Sequence, residues 1–327
     1  MQLRALGPSG VQVSAIGLGC MGMSEFYGAA STDEAVRTIR RAVELGVTLF
    51  DTADVYGHGE NERLLGRALA GVRDRVTIAT KFGQIRSDDG DFVGFDGSPE
   101  HAHASCEASL RRLGVECIDL FQLHRVDPAT PIEETVGAMQ ALVDAGKVRL
   151  LGLSEASAEQ IRRATSVAPI ATLQSEYSIL ERAIEREILP ACAELGITLL
   201  AFAPLMRGLL ARRFRDLDDL DEQDSRRRGR YPRLQGEALR TNRELAARIW
   251  AIADGYAVGP AQVALAWLLQ RDDAVVPIPG AKRVPHLEDN VASGRLMLAR
   301  SDIDALDALV GPAGTAAGER LPLRTRA

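Results

Sequence analysis

Cysteine is scarce: Cys20, Cys106, Cys117 and Cys192 are the four in 327 residues, with no Cys-x-x-Cys pair and no zinc-ligand spacing. A disulfide framework and a structural zinc site are thereby set aside, and reduced, mostly buried thiols are expected. Long apolar runs are missing too, since no stretch approaches the roughly 18 residues of a membrane span. The opening Met1-Gln2-Leu3-Arg4 lacks the apolar run of a signal peptide. There is no surplus of positive charge. Lys and Arg number 39 against 45 Asp and Glu, a net charge of -6, which argues against nucleic acid or an anionic membrane as a general partner. No linker or low-complexity segment divides the chain. The expectation is a cytoplasmic protein acting on small molecules, one domain over residues 1–327, its oligomeric state unspecified. A length prior alone suggests two domains, but α/β barrels run past about 250 residues as one.

What is present is a repeated unit: a short β-branched or apolar run, a turn, then a helical stretch. Runs at 16–19, 47–50, 76–80, 118–123, 148–153, 170–174, 197–202 and 275–278 read as strands. Helices are expected near 31–45, 60–69, 98–113, 131–145, 157–166, 184–195, 237–253 and 261–270. Their limits carry chemical signals. Ser31 and Ser157 open capping boxes with Glu34 and Gln160, Ser98-Pro99 forms an N-cap and first turn, and Gly114 and Gly146 act as stops. Strict alternation demands parallel strands, because a parallel pair needs a crossover, and eight such units close as a (β/α)8 TIM barrel. Residues 2–4 and 11–13, flanking Gly7-Pro8-Ser9-Gly10, predict a hairpin capping the barrel floor, and further helices are extra to the eight units. Residues 211–236 are dense in charge and include Arg226-Arg227-Arg228. They read as a mobile, solvated loop or lid, with phosphate binding as the sharper alternative; residues 312–327 read as a C-terminal tail.

In such a barrel the chemistry sits at the C-terminal strand ends. Those ends carry Asp51, with Tyr56 on the loop beyond, then Lys81, His124, Ser154-Glu155, Gln174, Phe202 and Pro279-Gly280. Delivery of hydride to a carbonyl builds negative charge on its oxygen, so a proton donor must lie against it. A free tyrosine, with a pKa near 10, holds its proton too tightly for this. A cation within roughly 4–6 Å lowers that value. Lys81 is the candidate cation, Asp51 the carboxylate that keeps it charged, and His124 a hydrogen-bonding group that orients the carbonyl. This scheme requires no metal.

The segment Phe50-Asp51-Thr52-Ala53-Asp54-Val55-Tyr56-Gly57, with Asn61-Glu62 and Leu65-Gly66 after it, resembles the signature of the aldo-keto reductase superfamily. So do Thr80-Lys81-Phe82-Gly83, Gln122-Leu123-His124-Arg125-Val126-Asp127, Gly152-Leu153-Ser154 and Gln174-Ser175-Glu176-Tyr177-Ser178. Residues 260–267, 278–283 and 288–290 complete the likeness, which spans residues 3 to 292 in order. It implies NADPH-dependent reduction of aldehydes or ketones, with a tetrad of Asp51, Tyr56, Lys81 and His124 in which Tyr56 is the general acid. It implies that Ser154 and Gln174 hold the nicotinamide carboxamide and that Phe202, where many relatives have tyrosine, stacks on the ring. Lys282 and Arg283 fall where the adenosine phosphate lies, and two cations suit a 2′-phosphate, hence NADP over NAD. Leu205, Arg207, Gly280, Asp289 and Asn290 are likewise implied to touch the cofactor.

Three departures stand out. Glu155 replaces the asparagine common after the serine, as in relatives that read Gly-Leu-Ser-Glu. Met206 occupies a position usually held by glycine, where its bulk is expected to shift the loop by the pyrophosphate. Residues 179–185 diverge around the substrate pocket. Two further patterns are set aside. Gly17-Leu18-Gly19-Cys20-Met21-Gly22 fits G-x-G-x-x-G, but the helix opens about ten residues too late for a Rossmann turn. His101 and His103, two apart at a helix start, point to different faces and do not form a metal pair. A slow, cofactor-binding redox sensor is the alternative function. A metal-dependent barrel hydrolase would need more ligands than the single rim histidine.

Overall fold

A computed structural model describes residues 1–87, 91–311 and 314–321 of the chain. Strands β1 (Leu3–Ala5) and β2 (Gln12–Ser14) pair antiparallel, with Leu3 opposite Ser14. The units then follow: β3 (Leu18–Gly19), α1 (Thr32–Glu44), β4 (Leu49–Asp51), α2 (Glu60–Leu69) and β5 (Thr77–Phe82). Next come β6 (Gln84–Arg86), β7 (Phe92–Phe95), α3 (Pro99–Leu113), β8 (Ile118–Leu123), α4 (Ile132–Asp144) and β9 (Val148–Ser154). The remainder is α5 (Ala158–Thr165), β10 (Ile170–Glu176), α6 (Ile188–Leu195), β11 (Thr198–Phe202), α7 (Gly236–Tyr256), α8 (Pro260–Leu269), β12 (Val275–Pro277), α9 (Val284–Ala292) and α10 (Arg300–Asp307).

Eight parallel strands lie in the order β3-β4-β5-β8-β9-β10-β11-β12. The two ends of that order meet: Gly17 N donates to Pro277 O at 3.0 Å, Gly19 N to Pro279 O at 3.2 Å, and Gly19 bridges Gly280 in parallel. The expected (β/α)8 barrel is what forms. The glycines of the Rossmann-like pattern serve this seam, since a Cβ on Gly19 would lie 2.9 Å from the Ile278 carbonyl oxygen.

Two apolar layers hold the barrel. The interior one joins Leu49, Ala79, Leu120, Leu200, Val276 and Ile278 to Leu6 and Val13 of the hairpin, which therefore plugs the barrel floor. Thr198 Oγ1 ties that plug down, donating to Ala5 O and accepting from Gly7 N, each at 2.8 Å. The outer layer lies between strands and helices. In α1 the buried Ala35, Thr38, Ile39 and Ala42 recur at helical spacing, and Ser31 accepts from Glu34 N. The capping box at Ser157 and Gln160 is complete.

Some expectations are revised. The helix expected over 184–195 is split into a 3-10 turn, Ala183–Glu185, and α6, because Pro190 has no N–H to donate to residue 186. Starting at Ile188 puts that proline in the first turn, where a missing N–H costs nothing. The stretch after β5 carries the β6–β7 hairpin, with Gln84 opposite Phe95. Residues 211–236 include 3-10 turns at Leu217–Asp219 and Pro232–Leu234. Of the expected tail, residues 312–313 and 322–327 lie outside the described residues, while 314–321 are bonded back to the barrel: Arg182 N to Gly314 O at 2.9 Å, Ala317 N to Asn242 Oδ1 at 2.8 Å. Among the described residues no single helix is long and apolar enough to cross a membrane; α7 and α8 pass that test only together, bent by 95°.

Candidate active site

β4 and β5 place the first elements. Asp51 ends β4, and Lys81 is the next-to-last residue of β5. Past β4 the chain keeps bonding to its neighbour, Thr52 N to Ala79 O at 2.8 Å and Asp54 N to Lys81 O at 3.1 Å, which carries Tyr56 back over the strand ends. Lys81 is fully buried and donates to Asp51 Oδ2 and to Thr52 O, both at 2.7 Å. Its Nζ lies 5.2 Å from the centre of the Tyr56 ring. His124, the residue after β8, meets Tyr56 edge-on with ring centres 5.8 Å apart. All four residues predicted to act together are therefore neighbours.

Two residues that the sequence pattern left without a role hold this corner in place. Asn61 accepts from Thr52 Oγ1 and donates to Cys20 O and Ser24 Oγ, at 2.7, 2.9 and 2.7 Å. Glu62, completely buried, accepts from Thr80 Oγ1 at 2.6 Å and from Arg112 Nε at 2.5 Å. Both tie the first turn of α2 to the strand ends and to the loop before it. Their signal in the sequence was two polar residues on an otherwise inward helix face.

Tyr56, His124, Asp51 and Gln174 open on a cleft of about 1080 Å³ at the C-terminal ends of the strands, with Lys81 beneath its floor. Phe202, Leu205, Arg207, Gly280, Lys282, Arg283 and Asn290 line the same cleft. Ser154 closes β9 and is buried outside the cleft lining, accepting from Arg125 Nη1 at 3.0 Å. Gln174 donates through Nε2 to Asp51 Oδ1 at 2.7 Å, so its amide bridges the Lys81–Asp51 pair to the opposite side of the rim. Asp289 is outside the cleft lining, held by Arg213 Nη2 at 2.7 Å and Gln262 Nε2 at 2.8 Å. Lys282 Nζ is engaged by backbone carbonyls, Tyr27 O at 2.5 Å and Ala29 O at 2.7 Å, while Arg283 is half out in solvent and 4.0 Å from Glu34. Of the arginine triplet, Arg226 reaches the cleft but is spent on Asp224, at 2.6 Å, and on Arg207 O.

The Tyr56 hydroxyl is held well above the usual tyrosine range, by burial first and by the Asp51 charge second; Arg125 is the strongest opposing influence. The Lys81 ammonium is bonded to Asp51 and Thr52 O, and burial pushes Lys81 itself below the ordinary lysine range. The pair acts on Tyr56 close to a neutral dipole. Burial likewise pushes His124 well below its usual value, so it stands as a neutral imidazole, with Nδ1 buried and unpartnered. Tyr56 and His124 are thus both neutral donors facing one cleft.

Asp54, between Asp51 and Tyr56 in sequence, has a buried oxygen without a partner; burial and the nearby Glu62 charge raise its carboxyl to about 8. A raised folded value means that this group favours folding below its unfolded pKa, near 4, and loses that contribution as pH climbs to about 8. An Asp54→Asn variant should therefore melt above the parent by a margin that widens between pH 5 and 8 and is constant beyond 9. Thermal melts of both proteins at these values check this, and a pH-independent margin would refute it.

Backbone strain gathers at the same rim. Glu155, Ala203, Met206 and Arg207 have φ of 57°, 48°, 45° and 57°, in the left-handed region that favours glycine. This explains why glycine suits position 206. The Met206 side chain is buried in the apolar core and does not line the cleft. Glu155, the other departure, accepts from Ser175 Oγ and Glu176 N, both at 3.0 Å, and from Arg320 Nη2 at 2.7 Å. Among the described residues no group of three or more His, Cys, Asp or Glu could hold a metal ion.

The profile of the aldo/keto reductase family matches residues 15–310. A Glycine max protein named probable aldo-keto reductase 1 is 42% identical over 317 residues, covering 96% of this chain and 90% of that protein. Among solved structures, a glycerol dehydrogenase from Gluconobacter oxydans superposes with a TM-score of 0.84 at 30% identity, covering 94% of each chain. An aldo/keto reductase from Klebsiella pneumoniae, in complex with NADP and acetate, gives 0.74 at 29%, covering 99% of this chain and 100% of that one.

Proposed function

The chain belongs to the aldo/keto reductase family, and from that premise we propose that it reduces an aldehyde or ketone to the alcohol with NADP(H), Tyr56 giving the proton. The observation that carries this reading is the pair of neutral donors, Tyr56 and His124, facing the cleft above the buried Lys81–Asp51 pair. A carbonyl oxygen seated between them accepts hydrogen bonds that strengthen as negative charge grows on it. Tyr56 then transfers its proton, and His124 holds the oxygen in line. Lys81 and Asp51 keep the Tyr56 loop in register.

The cleft suits the cofactor on three counts. The Asn290 Oδ1 is buried without a partner at its wall. Ser154, having accepted from Arg125, keeps its hydroxyl hydrogen to donate to a carboxamide oxygen. Phe202 offers an aromatic face at the end of β11. Bound NADPH would supply the hydride. For the 2′-phosphate we favour Arg283, since Lys282 is already occupied by the carbonyls of residues 27 and 29. Arg283→Ala should weaken NADPH by about tenfold, the worth of one charge-assisted hydrogen bond, and NADH far less. Titration of protein fluorescence with each cofactor checks this, and equal losses would place the phosphate elsewhere. The reading as a whole is tested by a panel of aldehydes and ketones followed through NADPH absorbance; a panel without turnover would overturn it.

A further inference from the structure

Arg125 follows His124 at the rim and lines the cleft, yet it forms no ion pair among the described residues. Its two hydrogen bonds leave from one nitrogen, Nη1, to neutral acceptors: His124 O at 2.6 Å and Ser154 Oγ at 3.0 Å. Its Nε is buried without a partner. No carboxylate of the described residues lies within ion-pair distance. The Glu155 charge acts on Arg125 without pairing with it, and both Glu155 oxygens are bonded elsewhere, one by Ser175 and the backbone of Glu176, the other by Arg320. A guanidinium in a cleft is costly unless an anion meets it.

The cofactor phosphates are poor candidates for that anion. Arg125 stands after β8, fourth in the barrel order, whereas Lys282 and Arg283 follow β12, the eighth, across the barrel mouth. Arg125 follows His124 in the chain and lines the same cleft as Tyr56, so an anion it binds would share that cleft with the reacting carbonyl. We propose that Arg125 is a substrate-binding residue for a carboxylate, and that the preferred substrate is a small oxo acid, an aldehyde or ketone bearing a carboxylate within a few bonds of its carbonyl. This rests on the carbonyl-reductase reading above and narrows it. The acid stays intact through turnover: the carbonyl carbon gains hydride, its oxygen gains the Tyr56 proton, and the carboxylate only anchors.

The test compares succinate semialdehyde with butanal, which lacks the carboxylate. The parent protein should favour the acid in kcat/KM. Arg125→Met should lower the acid's kcat/KM by about 30-fold, as expected for a lost charge-assisted pair, and butanal's by only the few-fold share that passes through Ser154. Arg125→Lys, which keeps the charge but not the fork, should fall between. Equal losses on both substrates would overturn the proposal and make Arg125 a positioning residue for Ser154; no loss on the acid would overturn it outright. Calorimetry of benzoate and benzamide on the NADP-loaded protein decides independently of turnover. Benzoate should bind more tightly, and Arg125→Met should erase the difference. If benzoate has no advantage, the anion site is absent even where carbonyls are reduced. If it has one and no carbonyl is reduced, the reductase reading fails while the site stands.

Discussion

Replacing Tyr56 by phenylalanine is expected to lower kcat/KM for an aldehyde such as 4-nitrobenzaldehyde by about 10³-fold, within the range of a removed general acid. NADPH should still quench protein fluorescence with similar affinity. The ring is retained, so its edge contact with His124 and its place above Lys81 survive, and only the proton is lost. His124 cannot substitute, because burial keeps its imidazole neutral, and a neutral imidazole N–H donates a hydrogen bond but is a far weaker acid than imidazolium. Because the Tyr56 hydroxyl is raised well above the tyrosine range, loss of its proton should not limit reduction anywhere below pH 10. A phenylalanine variant as fast as the parent would remove Tyr56 from the chemistry.

The largest effect on stability is expected at Lys81. Lys81→Met leaves Asp51, 4% exposed, as a buried carboxylate whose remaining side-chain donor is Gln174. Breaking a buried ion pair from one side costs about 3–5 kcal/mol, to be read as a lowered urea midpoint at unchanged slope. The same principle separates charge from packing. Removing both partners, in Lys81→Met with Asp51→Leu, should recover part of the loss because no lone charge is then left buried. If the double variant were less stable than the single by the full cost of a second lesion, the pair would not be acting as a unit.

Most of the barrel was legible because its signals are local. Ser98-Pro99, Ser157 with Gln160, and Gly114 fix helix ends within a few residues of themselves, and the structure uses each one as a cap or stop. Polar residues at successive strand ends were legible for a related reason: strand order fixes the rim on which they meet. What escaped is what depends on distances between segments far apart in the chain. Whether Lys81 tunes Tyr56 depends on how much of its charge Asp51 takes up, and spacing along the chain does not record that. Arg125 looked like one member of a motif; its lack of an ion pair became visible only once Glu155 was found bonded to Arg320, 165 residues further on. The β6–β7 hairpin was hidden because its strands are three and four residues long, too short for alternation to register. At position 206 the sequence marked an unusual residue, while only the backbone angle shows why glycine would be at ease there.

The seam that closes the barrel joins segments from opposite ends of the chain, Gly17 and Gly19 against Pro277 and Pro279. Every other pairing in the barrel links strands that are neighbours along the chain or separated by a single hairpin, so each can form as soon as its own unit has collapsed. The seam alone demands that the whole ring exist first, and it carries nearly the full entropic penalty of long-range loop closure. During synthesis it is the last strand pairing of the barrel to become available, since its second half emerges when most of the chain is already made. A newly made chain therefore passes through an open sheet with two bare edges, β3 on one side and β11 on the other until β12 arrives, and this is the stage most exposed to pairing with another molecule.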